Sequence, residues 1–221
     1  MKKTYIITDA LTAIGQRLAH ELAKRGHNLI LSGNDYNELE ALHNELKSYS
    51  DAHHEVFLLE QAKEIDWLNM VDKIDSTYDG LNGVIFIHSI ETEDNDVYNV
   101  SYDEFTEVMN EHVWGTYLGV RTLRNQLIET KETKIINLVE PVREETFEHN
   151  LYYAVTGAIE GLTHAIQSEL RKEDLNVYTL SYRPTERDAS FNPNDDNALG
   201  TIFKILDDEI SNDNNETIII H

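Results

Sequence analysis

The chain has 221 residues, of which 40% are hydrophobic and 9% aromatic, and this composition is typical of a globular domain with a sizeable core. Forty-one acidic residues against 18 basic ones give a formal net charge of −23, which disfavours nucleic acid and anionic membranes as partners. The chain has no cysteine, so disulfide bonds and thiolate metal sites are excluded. No leader pattern and no membrane-spanning apolar run is found, and we expect a cytoplasmic protein.

Apolar runs alternate with amphipathic helical segments from one end of the chain to the other. The runs at 3–8, 28–32, 55–59, 83–88, 133–139, 176–181 and 217–220 predict seven strands, and the segments at 13–25, 35–48, 64–78, 102–129, 150–172 and 198–209 predict six helices. Gly26 is expected to end the first helix. This alternation with short connections predicts a single Rossmann-like domain over residues 1–221, with a doubly wound parallel seven-stranded sheet in a three-layer α/β/α arrangement.

The turn after the first strand has the position of a dinucleotide-binding loop but lacks most of its glycines. It runs from Thr8 to Gly15, between an apolar strand and a helix, where such folds bind a pyrophosphate. Asp9 and Ala13 stand at two of the three glycine positions. A carboxylate about 4 Å from a phosphate costs roughly 4 kcal/mol at an effective dielectric constant near 20. Asp9 therefore predicts weakened dinucleotide binding.

The side chain of Asp9 has two interpretations. Its carboxylate could accept N–H groups at the start of the first helix and so replace a phosphate there. Alternatively, it is an ordinary turn residue that points to solvent.

The order of elements and several local phrases resemble the short-chain dehydrogenase/reductase family over essentially the whole chain. The phrases are Gly115-Thr116-Tyr117, Lys134-Ile135-Ile136-Asn137-Leu138 and Ala158-Ile159-Glu160-Gly161-Leu162-Thr163. The resemblance places Thr8, Ile14 and Gly15 in the family's cofactor-binding turn.

Most of the family's catalytic positions are substituted. The resemblance places the family's tyrosine at Tyr152, its lysine at Thr156, its serine at Glu140 and its helix asparagine at His112. Other family motifs fall on Phe86-Ile87-His88-Ser89 after the fourth strand and on Tyr182-Arg183 after the sixth, and the basic residue that often selects a 2′-phosphate falls near Asn34. The stretch from Thr185 to Asn197 is short for the family's substrate-covering loop.

These substitutions act against the family's proton transfer. Its tyrosine exchanges a proton with the substrate oxygen, and a free tyrosine with a pKa near 10 needs a nearby cation to do so near neutral pH. Thr156 supplies no charge, and an ionised Glu140 beside Tyr152 would raise the pKa of the tyrosine further.

Three hypotheses follow from these substitutions. In the first, the protein is a catalytically degenerate family member with a binding, regulatory or structural role and without a cofactor. In the second, it is an atypical NAD(P)-dependent oxidoreductase for a small carbonyl or alcohol substrate, and another group such as Arg183 replaces the missing charge. In the third, Tyr152, His112 and Glu140 form a cofactor-independent acid/base site; the competing interpretation is a disused cleft filled with side chains.

The sequence also bears on metal binding and on oligomer formation. His88, His112 and Glu140 have side chains that suit zinc, but their spacing gives no support, so no metal is predicted. Small residues after Tyr152 leave a flat helix face, which packs either on the protein's own sheet or on another helix: Ala154, Gly157, Ala158, Gly161 and Ala165. In the family this helix and the preceding one form a dimer interface, so the resemblance implies a homodimer or homotetramer with two-fold symmetry. The sequence does not identify a small-molecule ligand.

Overall fold

A parallel sheet lies at the centre of the structure. The computed structural model describes residues 2–90, 98–139, 150–170, 172–173, 175–182, 196–210 and 218–220. The strands are β1 (Thr4–Ile7), β2 (Asn28–Gly33), β3 (His54–Leu58), β4 (Gly83–His88), β5 (Thr133–Val139), β6 (Leu175–Tyr182) and β7 (Ile218–Ile220). They pair in parallel in the order β3-β2-β1-β4-β5-β6-β7. The predicted seven-stranded sheet is therefore confirmed.

Helices cover both faces of this sheet. They are α1 (Ala13–Lys24), α2 (Tyr36–Leu46), α3 (Glu64–Thr77), α4 (Tyr102–Met109), α5 (Gly115–Glu129), α6 (Asn150–Leu170) and α7 (Asp196–Leu206). Buried residues of α1, α2 and α7 pack on one face, and those of α3, α5 and α6 pack on the other. This confirms the predicted three layers. Gly26 follows α1 with a φ of 79°, as expected for the residue that ends a helix. Of the described helices, none is long and apolar enough to cross a bilayer.

Strand β4 shows how the two cores are divided. All six of its residues are buried, as the apolar sequence predicted. Ile85 and Ile87 join the core under α1, α2 and α7, whereas Val84 and Phe86 join the core under α3, α5 and α6. Because side chains alternate along a strand, His88 follows Phe86 onto the second face.

The predicted helix over 102–129 is interrupted by a π-helical segment, Asn110–Trp114, that joins α4 to α5. Inside it, the carbonyl of His112 accepts a hydrogen bond from Thr116 Oγ1 at 2.7 Å. Helical periodicity predicted one uninterrupted α-helix, because a single wider turn barely changes the apolar pattern. Such segments are frequent at functional sites, and this one carries a predicted site residue.

The strand order places a crevice at the carboxyl ends of β1 and β4. β1 lies between β2 and β4, and the direction of the strand order reverses at β1, where Ile7 pairs with Leu31 on one side and Ile85 on the other. Doubly wound folds bind ligands at such a point.

Candidate functional site

The turn between β1 and α1 forms one wall of this crevice. Thr8 is fully buried, its N–H donates to the carbonyl of Ile85, and its hydroxyl accepts the N–H of Ile87, each at 3.0 Å. Thr8 was predicted to bind a cofactor. In the structure its polar groups hold β1 against β4 and so fix the position of the turn.

The backbone of the turn favours glycine at two positions, Asp9 and Gly15. Asp9 has a φ of 46°, in the left-handed region that glycine favours and that Asp tolerates. A Cβ on Gly15 would lie 2.7 Å from the carbonyl oxygen of Asp9, so glycine is required where α1 crosses the turn. The side chain of Ile14 is buried in the core. The turn therefore combines a left-handed residue at Asp9 with a close approach of α1 at Gly15.

The carboxylate of Asp9 does not cap α1 in the described contacts. The N-cap is Thr12, whose Oγ1 accepts the N–H of Gly15 at 3.2 Å. Asp9 is half-buried, and its Oδ2 accepts a hydrogen bond from Gln61 Nε2 at 3.2 Å. The interpretation that Asp9 points to solvent is therefore wrong, because its carboxylate contacts Gln61 beyond the end of β3, while the N-cap of α1 is Thr12.

Gln61 links the turn to the start of α5, and sequence analysis missed it. It is 5% exposed, and its carbonyl accepts a hydrogen bond from Trp67 Nε1 at 2.8 Å. A Cβ on Gly115 would lie 2.7 Å from the Cβ of Gln61, so α5 begins in direct contact with this residue. Gly115 was the sequence feature that could have indicated this contact, because a glycine inside a helix indicates close packing by a neighbour.

Two buried histidines lie in contact where the end of β4 meets the π-helical segment. His88 is fully buried at the end of β4, and His112 in the π-helical segment is 4% exposed. Their rings lie 5.6 Å apart in an edge-to-face arrangement. Burial lowers the pKa of His88 to about 3 and that of His112 to about 4, so both are neutral at pH 7. In this state His112 is a weak base, which opposes its predicted role in acid/base catalysis.

A buried hydrogen-bond network continues from His88 into the sheet. Asn137 Nδ2 donates to Thr163 Oγ1 at 3.0 Å, and Thr179 Oγ1 donates to the same oxygen at 2.7 Å. The amide oxygen of Asn137 lies 3.4 Å from His88 Nε2, so we assign the imidazole proton to that nitrogen. Among the described residues, neither Nδ1 of the two histidines has a hydrogen-bond partner. Asn137, a polar residue within the apolar run of β5, was the sequence feature that could have indicated this network.

Tyr152 lies at the start of α6 and is 7% exposed. It packs with Val139, Val155 and Ile159. Burial raises the pKa of Tyr152 above its ordinary value of 10.0, while hydrogen bonds with the hydroxyls of Thr156 and Ser181 oppose that shift. The hydroxyl of Thr156 also donates to the carbonyl of Tyr152 at 2.8 Å. Thr156, predicted from the sequence to stand at the family's lysine position, thus provides a hydroxyl and no charge.

Two predicted residues cannot be placed. Glu140 and Arg183 lie outside the described residues, as do residues 185–195 of the predicted covering loop. The structure brings together His88 and His112, and it brings Tyr152 to Ser181, which sequence analysis missed. Within the described ranges, no group of three or more His, Asp or Glu side chains could hold a metal ion.

Three comparisons place this geometry among known proteins. A family profile described as "short chain dehydrogenase" matches residues 3–196. A diacetyl reductase [(S)-acetoin forming] of Staphylococcus epidermidis is 25% identical over 180 residues, covering 80% of this chain and 69% of that protein. An NADPH-dependent pterin aldehyde reductase of Arabidopsis thaliana is 29% identical over 173 residues, covering 76% of this chain and 69% of that protein. The crystal structure of a metagenomic short-chain oxidoreductase in complex with NADP superposes with a TM-score of 0.78 at 16% identity, covering 99% of this chain and 97% of that one.

Proposed function

Since the chain belongs to the short-chain dehydrogenase/reductase family, we propose that it is an atypical NAD(P)-dependent oxidoreductase that acts on a small carbonyl or alcohol substrate. The observation that carries this proposal is the turn after β1, where Asp9 has a left-handed backbone conformation and Gly15 leaves no room for a Cβ beside the Asp9 carbonyl. The names of the two relatives, both reductases, favour this function over a degenerate role.

The backbone of the turn leaves room for a dinucleotide, whereas the carboxylate of Asp9 would repel the phosphates of the dinucleotide. The Asp9 carboxylate accepts a hydrogen bond from Gln61, and the hydroxyl oxygen of Thr12 accepts the N–H of Gly15 as the N-cap of α1. A helix N-terminus in this position favours a phosphate group. The sequence-based expectation that the chain uses no cofactor finds no support in the comparisons. A bound dinucleotide would supply or accept a hydride, and the chain would move the proton.

Tyr152 is the proposed proton donor in the reducing direction. Because the pKa of Tyr152 is raised above 10.0 by burial, its hydroxyl is protonated at pH 7 and can donate to a substrate oxygen. Oxidation of an alcohol needs the phenolate, which burial disfavours and no cation at Thr156 stabilises. The protein should therefore be a better reductase than dehydrogenase, and slower than relatives that keep the lysine.

We expect NADH to bind more tightly than NADPH, because the end of β2 offers an acidic residue to a 2′-phosphate. Asp35 follows Asn34 there, and its Oδ1 accepts the N–H groups of Asn37 and Glu38 at the start of α2. Asp9→Asn should tighten NADH binding by about tenfold, because it removes the charge and keeps a residue type that tolerates a positive φ. Calorimetric titration of both nucleotides measures these differences.

Asp72→Asn is the matched control for that titration, since Asp72 is an exposed carboxylate on α3, away from the turn. It should leave the affinity for NADH unchanged. If neither the native protein nor Asp9→Asn binds NADH or NADPH below about 1 mM, the proposal is wrong and the degenerate role takes its place.

A second candidate function is binding or regulation without turnover. It is favoured by Thr156, whose hydroxyl is bonded to the backbone of its own helix, and by the full burial of His88. Saturable NADH binding without reduction of any carbonyl compound would support it. The cofactor-independent use of Tyr152, His112 and Glu140 has less support, because His112 is a weak base at pH 7.

We also propose a homodimer formed through α6. Gly157 and Gly161 lie on its exposed face, and a Cβ on either would meet no atom within 4 Å, so internal packing does not require glycine there. Each costs the helix about 1 kcal/mol relative to alanine, which contact with another copy would offset. Tyr153 on the same helix is 68% exposed.

Gly161→Gln should convert the dimer to a monomer, because a long side chain keeps the two helices apart. Sedimentation velocity measures the change. Gly200→Gln on α7 is the control, since Gly200 also faces open space. A native protein that sediments as a monomer at all concentrations would exclude the proposed interface.

A further inference from the structure

A tyrosine and a histidine from two different elements are hydrogen-bonded at the surface, outside the crevice. Tyr49 lies in the turn after α2, and its Oη lies 3.1 Å from Nδ1 of His20 on α1. The two rings meet edge to face, with their centres 5.7 Å apart. On the other side of the imidazole, Nε2 of His20 lies 3.6 Å from Oε2 of Glu45 on α2. A hydroxyl, an imidazole and a carboxylate therefore follow one another in contact.

Backbone contacts hold the turn that carries Tyr49 against α1. The N–H of Tyr49 donates to the carbonyl of Leu46 at 3.1 Å, so the chain turns tightly where α2 ends. The hydroxyl of Ser50 donates to the carbonyl of Ala23 at 3.2 Å and joins the same turn to α1. The position of Tyr49 relative to α1 is therefore fixed on both sides of the residue.

The carboxylate of Glu45 decides which nitrogen of His20 carries the proton. A neutral imidazole has one N–H and one acceptor nitrogen, and the nitrogen that faces a carboxylate is the donor. The proton is therefore on Nε2, and Nδ1 accepts the hydrogen bond from the Tyr49 hydroxyl. The 3.6 Å separation is longer than a hydrogen bond, as is common for catalytic groups before a substrate is bound. His20 can accept the tyrosine proton, and Glu45 can stabilise the imidazolium that results.

Tyr49 is open to solvent, whereas the base beside it is partly covered. Tyr49 is 41% exposed, and the side chain of His20 is 24% exposed. A small reactant can therefore reach the tyrosine. A hydroxyl within hydrogen-bond distance of a base that a third group orients is the arrangement used in nucleophilic catalysis.

The charges beside these rings favour an uncharged reactant. Lys24 Nζ lies 5.6 Å from the centre of the Tyr49 ring, but it is already paired with Glu21 at 2.7 Å. Glu45 places a second carboxylate beside His20. In a chain with a net charge of −23, these groups give no net attraction to a donor with several negative charges, such as a phosphoryl donor. A neutral acyl ester is not repelled.

We propose that Tyr49 is a nucleophile that accepts an acyl group from a neutral activated ester, with His20 as its general base. The Tyr49 oxygen attacks the acyl carbonyl carbon, and its proton passes to Nδ1 of His20. The bond between that carbon and the oxygen of the leaving alcohol then breaks, and the leaving oxygen takes the proton from His20. The acyl group stays on Tyr49 as an ester. Glu45 is a positioning residue, because it acts through His20. The site is independent of the dinucleotide turn and of the proposed oxidoreductase function.

The test uses para-nitrophenyl acetate as the acyl donor and the full chain at neutral pH. Release of para-nitrophenolate measures the overall rate, and peptide mass spectrometry at successive times locates the acetyl group. Tyr36 is the internal control, since it is 48% exposed on α2 and no hydrogen bond among the described residues joins it to a histidine. We expect Tyr49 to be acetylated about 10²-fold faster than Tyr36, which is the lower end of what a general base contributes.

Substitutions of the base and of the carboxylate separate their roles. His20→Phe keeps an aromatic ring beside Tyr49 and should slow acetylation of Tyr49 to the rate of Tyr36. His164→Phe, at an exposed position on α6, should leave that rate unchanged. Glu45→Gln should slow acetylation of Tyr49 by about tenfold, because the imidazolium loses its counter-charge. Glu45→Asp restores the charge and should recover part of the rate, which a purely structural contact would not explain.

Two results would overturn the proposal. One is acetylation of Tyr49 and Tyr36 at the same rate, as expected if the contact with His20 only joins two elements. The other is an acetyl group on His20 or Lys24 with none on Tyr49, which would make another side chain the nucleophile.

Discussion

Lowering the pH from 7 to 5 will destabilise this protein by about 6 kcal/mol, through three buried neutral histidines. Burial lowers the pKa of His88 to about 3 and the pKa values of His112 and His54 to about 4. In the unfolded chain each has the ordinary value of 6.5, so the unfolded state binds more protons below pH 6.5. The stability they confer is complete above pH 6.5 and is lost as the pH falls toward 4.

The size of this effect follows from the number of groups. The contribution of each histidine to the free energy of unfolding falls by about 1.4 kcal/mol per pH unit, or by about 2 kcal/mol between pH 6.5 and 5. A loss of about 6 kcal/mol is comparable to the whole stability of many domains, so unfolding should begin near pH 5. Carboxylates have ordinary pKa values near 4, and the relief of their mutual repulsion therefore starts at lower pH.

His54→Phe provides the sharpest test of the acid effect. His54 is 3% exposed, and neither ring nitrogen has a hydrogen-bond partner, so an apolar ring can replace it at little cost. Urea unfolding from pH 7.5 to 5 should show a smaller loss of stability in this variant, by about 2 kcal/mol. His164→Gln, at an exposed position on α6, should match the native protein. A native stability that stays constant down to pH 5 would contradict the prediction.

Tyr152→Phe should reduce the rate of carbonyl reduction by about 10²- to 10⁴-fold, the usual contribution of a general acid. The ring is retained, so its packing on Val139 and Ile159 is preserved and the affinity for NADH should not change. Single-turnover oxidation of NADH with a panel of small aldehydes and ketones measures the rate. Tyr153→Phe is the control, because Tyr153 is adjacent in sequence but 68% exposed.

Thr156→Lys extends this test by restoring a cation where the family has one. An ammonium group beside Tyr152 should lower the pKa of the tyrosine and raise the rate of alcohol oxidation more than that of carbonyl reduction. A native protein with measurable reductase activity that Tyr152→Phe leaves intact would show that another residue donates the proton.

The fold followed from the sequence because its signals are local and repeated. Strand β4 reads as a continuous apolar run, and α1 shows apolar residues at helical spacing followed by Gly26. Both depend only on neighbours along the chain. The π-helical segment at Asn110–Trp114 was missed, because one widened turn leaves the surrounding periodicity almost unchanged.

The site was predicted less well, because its contacts join residues far apart in the chain. Asp9 could be identified as an anion in a phosphate-binding turn, but its partner Gln61 is 52 positions away. The pairing of His88 with His112 likewise depends on how α5 packs over β4.

The sequence by itself determined the doubly wound sheet and the crevice at the carboxyl ends of its strands, and it predicts that Thr156 and Asp9 stand where the family has a lysine and a glycine. Each of these is a matter of residue type and order. Only the tertiary structure decided that Asp9 has a left-handed backbone conformation, that its carboxylate contacts Gln61, and that Tyr152 is buried beside two hydroxyls. The physical reason is that burial and hydrogen bonding set the charge of a side chain, and both depend on neighbours that the fold brings together.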